Sequence, residues 1–123
     1  MVNPTYLTAK STLFMLAGAG NEDAKRVIAA LGTYNDTLLC VVRGRVDTIS
    51  APALLEVFEN HCGGIRRVKI DAEKLEYISS AGLRVLLMAV KKLGQGSVTV
   101  VNASESVKEI FETTGFDQMV RVE

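Results

Sequence analysis

Apolar residues gather in short runs separated by polar, glycine-bearing punctuation, and the runs alternate between two periodicities. Residues 37–43, TLLCVVR, are continuously apolar between Asn35-Asp36 and Gly44, as in a buried strand between two turns. Residues 66–70 follow the Gly63-Gly64 break as a second strand. Residues 97–102, SVTVVN, follow Gly94 and Gly96 as a third, and 119–122 make a short last one. Between these runs the spacing is helical. Ser50 stands as a cap ahead of Pro52, with Ala51, Leu54, Leu55 and Phe58 on one face. Leu83, Leu86, Leu87, Val90 and Leu93 define the strongest face, ended by Lys91, Lys92 and Gly94. Ser104 caps a last helix with Val107, Ile110 and Phe111 inward and Gly115 behind it. Strand and helix thus alternate from about residue 37, which predicts an α/β domain, a parallel or mixed sheet with helices packed on it.

The first third reads differently. Residues 12–17 have the pattern of a strand. Asn21 followed by Glu22 and Asp23 is a helix start, since a cap and two acids suit the positive end of the helix dipole. Ala24, Val27, Ile28 and Leu31 share one helical face and Gly32 can close it, so local pattern predicts a helix over 22–31. No apolar run reaches the ~20 residues that span a bilayer. The run at 13–17, with only Lys10 ahead of it, makes a poor signal peptide.

Composition narrows the chemistry. The 123 residues suit one domain, and 48% hydrophobic against 23% charged residues excludes a disordered chain. Fourteen basic and fourteen acidic groups cancel, which argues against nucleic acid or an anionic membrane surface as partner. Two cysteines, Cys40 and Cys62, and one histidine, His61, leave no disulfide framework and too few ligands for a metal site. The expectation is a soluble cytoplasmic protein, not an enzyme, with no metal and no cofactor. Gly18-Ala-Gly20 hints at a dinucleotide turn, but Asp23 stands where a third glycine would fall and would repel a pyrophosphate. His61 reads as a helix-end residue, Cys40 as a core residue of a strand, and Met15, Met88 and Met119 as core fillers.

The stretch 68–92, VKIDAEKLEYISSAGLRVLLMAVKK, carries most information. A buried strand ends in Asp71, a short polar connection carries Leu75 and Tyr77, and Ser79-Ser80-Ala81-Gly82 opens an amphipathic helix. Two hydroxyls there can satisfy the orphan N–H groups of a helix start. A hydroxyl at that position is also presented where the helix dipole tolerates a phosphate. The two roles are compatible.

The run from Asp71 to Leu83, with Gly44-Arg45-Val46-Asp47 upstream and Thr114-Gly115-Phe116 downstream, resembles the STAS domain family, most of all the bacterial anti-sigma factor antagonists. The resemblance covers residues 34–123. It implies a mixed sheet with helices mainly against one face. It also implies binding to an anti-sigma factor that is a serine kinase of the GHKL type, release of the sigma factor, inactivation by phosphorylation of one serine, and rescue by a metal-dependent, PP2C-type phosphatase. Counting back from Gly82-Leu83, the family's acceptor falls on Ser80, with Ser79 as the alternative because the family often has Asp there. Asp47 and Asp71 match its acidic positions near the acceptor, and Asp47, Asp71, Ser79, Ser80, Gly82 and Arg84 are the partner-binding set so implied. The other function class is a STAS-type accessory subunit of an ABC lipid or anion transporter, or of a sensory assembly.

Family domains begin with a hairpin whose second strand ends in the Gly-x-x-Asp motif, here 38–43. Its first strand is either 27–34 or 12–17 with a helix inserted between, and the helical pattern favours the latter. Residues 1–33 are then an N-terminal extension or a variant first strand and helix, and 34–123 the STAS domain.

Overall fold

The computed structural model describes residues 26–61 and 63–123, with the backbone of Thr12 and Leu13. Along them run β1 (Thr12–Leu13), β2 (Ile28–Tyr34), β3 (Thr37–Val46), α1 (Ala51–Asn60), β4 (Arg67–Ile78), α2 (Ser80–Leu93), β5 (Val98–Val101), α3 (Glu105–Thr114), a 3-10 turn at Phe116–Gln118 and β6 (Arg121–Val122). The strands form one mixed sheet whose spatial order is the chain order. β1, β2 and β3 are antiparallel neighbours, and β3 to β6 are parallel. The parallel steps need crossovers, and α1, α2 and α3 supply them.

The β2–β3 hairpin closes on Tyr34 opposite Thr37, across Asn35-Asp36. Asn35 takes a left-handed φ of 56°, a conformation asparagine accepts at small cost. Alternate residues then divide between two faces. Leu38, Cys40, Val42, Val68, Ile70, Val98 and Val100 pack in one core with Leu54 and Phe58 of α1, Leu83, Leu86 and Val90 of α2, and Val107 and Phe111 of α3. Leu39 and Val41 point the other way, into a small cluster with Ala29 and Ala30.

Several sequence expectations need correction. Of the helix expected over 22–31, Arg26 and Val27 are helical, but residues 28–34 are strand, so the hairpin's first strand is β2. Ala24–Leu31 spacing and composition favour a helix locally, but the ladder with β3 buries Ile28 and Leu31, and ladder formation outweighs that local preference. The strand predicted over 12–17 is present at Thr12–Leu13 beside β2, and the remainder, with the helix start at 21–25, lies outside the described residues. β4 does not end at Asp71. It continues to Ile78, because the ten-residue β3 offers ladder partners beyond a bulge: Gly44 opposite Leu75, Arg45 opposite Tyr77 and Val46 opposite Ile78.

In α2 the buried residues are Gly82, Leu83, Val85, Leu86, Ala89 and Val90, while Leu87 is only half-buried and Met88 is exposed. The contact face is thus rotated toward Val85 and Ala89. Ile110 of α3, expected inward, is likewise half-buried. Ser50 occupies the cap position of α1 without a side-chain cap bond, since its hydroxyl turns back toward Asp47. Ser104 does cap α3, accepting from the Val107 N–H at 3.2 Å, and Gly115 ends it at a left-handed φ of 78°.

Candidate functional site

The two motifs singled out in the sequence meet where β3 and β4 end. The last ladder pair is Val46 with Ile78, and one residue later the Ser79 N–H donates to the Val46 carbonyl at 2.8 Å. The Gly44-to-Asp47 segment and the mouth of α2 are therefore pinned together by a backbone bond. Alongside, the Arg45 guanidinium lies over the Tyr77 ring, 4.4 Å from its centre.

Asp47 organises the turn from β3 into α1. One carboxylate oxygen accepts from the N–H groups of Ile49 and Ser50, both at 3.0 Å, and has the Ser50 hydroxyl at 3.1 Å. In return the Asp47 N–H donates to the Ser50 Oγ at 3.0 Å. These bonds, those from Ser50 first, favour the ionised form and hold the Asp47 carboxyl below its ordinary pKa. The turn leaves Ile49 outside, 66% exposed.

The adjacent serines have different tasks. Ser79 sits in extended conformation ahead of α2, and its Oγ accepts from the Gly82 N–H at 3.3 Å, while its carbonyl accepts from Leu83 at 2.9 Å. Ser80 is the first residue of the helix and is exposed, and its hydroxyl has no partner among the described residues. An anion carried there meets the positive end of a 14-residue helix, an effect of about 0.3–1 kcal/mol. One and two turns on, Arg84 and Met88 are exposed too, so Ser80, Arg84 and Met88 form an outward stripe on α2.

Gly82 is buried, and a Cβ on it would lie 2.6 Å from Ile78 Cγ1 and 2.8 Å from Val46 Cγ1. It lets α2 approach the strand ends. Asp71 is elsewhere. It pairs across the sheet with Val41, so its side chain lies on the face away from α2, only 3% exposed. One Asp71 oxygen accepts from the Glu73 N–H at 3.0 Å and from Asn102 Nδ2 at 3.3 Å; the other has no partner among the described residues. The structure therefore brings Asp47, Ser79, Ser80, Gly82 and Arg84 to one end of the sheet and keeps Asp71 apart. Sequence reasoning missed Ile49 and took Met88 for a core filler, whereas it is exposed. The second was legible, because residues 80, 84 and 88 fall opposite the apolar spacing of the helix. Among the described residues no cluster of His, Cys, Asp and Glu could hold a metal ion, and no helix is long and apolar enough to cross a membrane.

Residues 29–123 match the STAS domain. A Bordetella bronchiseptica protein named as an anti-sigma factor antagonist, BtrV, is 39% identical over 82 residues, 64% of this chain and 71% of that one. Among solved structures, an anti-sigma factor antagonist from Mycobacterium paratuberculosis superposes with a TM-score of 0.68 at 22% identity, covering 85% of this chain and 89% of the other. The anti-sigma factor antagonist SpoIIAA in its unphosphorylated form gives 0.65 at 16% identity, over 76% of this chain and 85% of its own. Its phosphorylated form, from Bacillus, gives 0.57 at the same identity, over 76% and 88%.

Proposed function

We propose that this chain, which belongs to the STAS domain family and has a relative named an anti-sigma factor antagonist, binds an anti-sigma factor through the end of the sheet that carries Ser80. Phosphorylation of Ser80 switches the binding off. The observation that carries this reading is the division of labour between the two serines. Ser79 commits its hydroxyl to the cap, whereas Ser80 offers an exposed, uncommitted one at the helix start.

The physics of the switch is local. Phosphorylation replaces a neutral hydroxyl by a group of about −1.5 to −2 charges. The helix N-terminus accommodates it, so the fold survives. A partner surface built around a neutral serine must instead desolvate the dianion, which is costly unless it supplies a matching cation. Asp47, held ionised in its turn, adds negative charge at the same end of the sheet. Arg84 and the exposed Ile49 complete the contact surface, with Ile49 the apolar anchor. Gly82 sets the approach of α2, and Asp71 acts from within the sheet rather than by touching the partner. The kinase is the anti-sigma factor itself, of the GHKL type, and a PP2C-type phosphatase reverses the modification.

The test incubates wild type, Ser79→Ala and Ser80→Ala with the cognate kinase and ATP and locates the phosphate by mass spectrometry. Wild type and Ser79→Ala should be modified at residue 80, and Ser80→Ala should remain unmodified yet still bind. Ser80→Asp should fold and bind more weakly. Phosphate on Ser79 alone would move the site, and none on either serine would remove the switch.

A further inference from the structure

α1 and α2 are the crossovers of two successive parallel steps, β3 to β4 and β4 to β5, so they run parallel to each other on one face of the sheet. Their outer sides do not close on one another. Between them lies a groove of about 340 Å³, lined by Leu55 and Phe58 of α1 and by Val85, Met88, Ala89 and Leu93 of α2. Met88, 43% exposed, is the most exposed large apolar side chain on any helix among the described residues. The charges on the two walls are sorted by sign. α1 carries Glu56 and Glu59 and no cation, whereas α2 carries Arg84, Lys91 and Lys92 and no acid. All five are exposed. Glu59 stands on one rim and Lys91 and Lys92 on the other, yet no ion pair crosses the groove among the described residues.

Charge sorted in this way constrains the occupant. It must bring a cation to α1, an anion to α2 and apolar side chains between them. A second copy of the same groove meets all three requirements. A two-fold axis parallel to the helices, in the plane of contact, sets α1 of each copy on α2 of the other at the same height. Glu59 then meets Lys91 and Lys92 of the second copy, and the reciprocal contact repeats it. Met88 enters beside Leu55 of the second copy. The other in-plane axis, perpendicular to the helices, lays α1 on α1 and α2 on α2 and sets like charges together, so electrostatics selects the first. Zero net charge leaves no long-range repulsion between copies. We infer that the groove between α1 and α2 is a homodimer interface, filled by Met88 and closed by reciprocal pairs of Glu59 with Lys91 and Lys92. Ser80 stands at the opposite end of α2, about 12 Å from Met88 along the helix, outside this interface.

Sedimentation equilibrium of the full chain should show a monomer–dimer equilibrium within about 10 μM to 1 mM, the range suited to an interface of modest size. Charge reversals locate it. Glu56→Lys with Glu59→Lys turns the acidic wall basic, Lys91→Glu with Lys92→Glu turns the basic rim acidic, and each pair should raise Kd about tenfold or more. Mixed in equal amounts, these two variants should form a heterodimer tighter than either homodimer, because each basic wall again meets an acidic one. That gain should shrink as salt is raised. Glu73→Lys with Glu76→Lys, on exposed positions of β4, shifts the net charge as the α1 pair does but lies outside the groove. It should leave Kd within about threefold of wild type and gain nothing from mixing with the α2 variant. Met88→Asp should leave the protein monomeric. All these positions are exposed, and urea melts should show every variant folded. A wild-type monomer throughout the range would overturn the inference and leave the groove to a helix of another protein. A dimer indifferent to Met88→Asp and to both charge reversals would overturn it as well. The readout does not involve the kinase, so it stands or falls separately from the Ser80 switch.

Discussion

The Ser79 N–H donates to the Val46 carbonyl at 2.8 Å, and this one bond joins the end of the Gly-x-x-Asp strand to the mouth of the serine helix. Gly82 makes the approach possible from the helix side. Its missing Cβ would fall 2.6 Å from Ile78 and 2.8 Å from Val46, both buried and β-branched. Gly82→Ala should therefore destabilise the domain by ~1–3 kcal/mol through overpacking and tilt the start of α2. Urea melts with an unchanged midpoint would show that the contact relaxes freely.

The two serines should separate in stability measurements as well as in modification. Ser79→Ala removes the cap on Gly82 and should cost ~0.5–2 kcal/mol. Ser80→Ala removes an exposed hydroxyl without a partner among the described residues and should stay within about 0.5 kcal/mol of wild type. Equal losses in thermal melts of the two variants would contradict this assignment of the cap.

Asp47 links the site to pH. Its folded pKa lies below the unfolded value of about 3.9, so its contribution to stability is present above that pH. It is lost as pH falls through the folded value. Asp47→Asn keeps an acceptor oxygen but lacks the charge. The variant should be less stable than wild type at neutral pH, and the two should converge in acid melts. A gap that persists at the lowest accessible pH would mean that the charge is not what stabilises the turn.

Cys40 is 1% exposed, and burial pushes its thiol pKa up to about 12. In a Cys62→Ser background, a thiol reagent at pH 8 should leave the native protein unmodified and label Cys40 completely in denaturant. Rapid labelling under native conditions would show that β3 opens locally.

The rotation of α2 gives a further comparison. Leu86, 2% exposed, should cost ~2–5 kcal/mol when changed to Ala, and the half-buried Leu87 should cost less. A larger loss at Leu87 in denaturant melts would place the contact face where the apolar spacing alone puts it.

Much of this was legible in the residues themselves. The α/β alternation, the strands centred on 38–43 and 98–101, the caps at Ser104 and Gly115, and the helix starting at the paired serines all follow from short-range chemistry: periodicity, turn residues and hydroxyls beside orphan N–H groups. Three features waited for the tertiary structure. Residues 28–31 have helical spacing, yet only the ladder with β3 makes strand their burial. The polar run after Asp71 becomes strand because β3 is long enough to pair with it. Asp71 and Asp47 are the same residue type in neighbouring motifs, and the pleat sends one to the far face of the sheet while the turn into α1 holds the other at the sheet end where α2 begins. Local sequence encodes what a segment can form by itself. Which backbone partner it finds, and which face its side chains then take, depends on strands distant in the chain, and a period of two reverses that face with each single-residue shift.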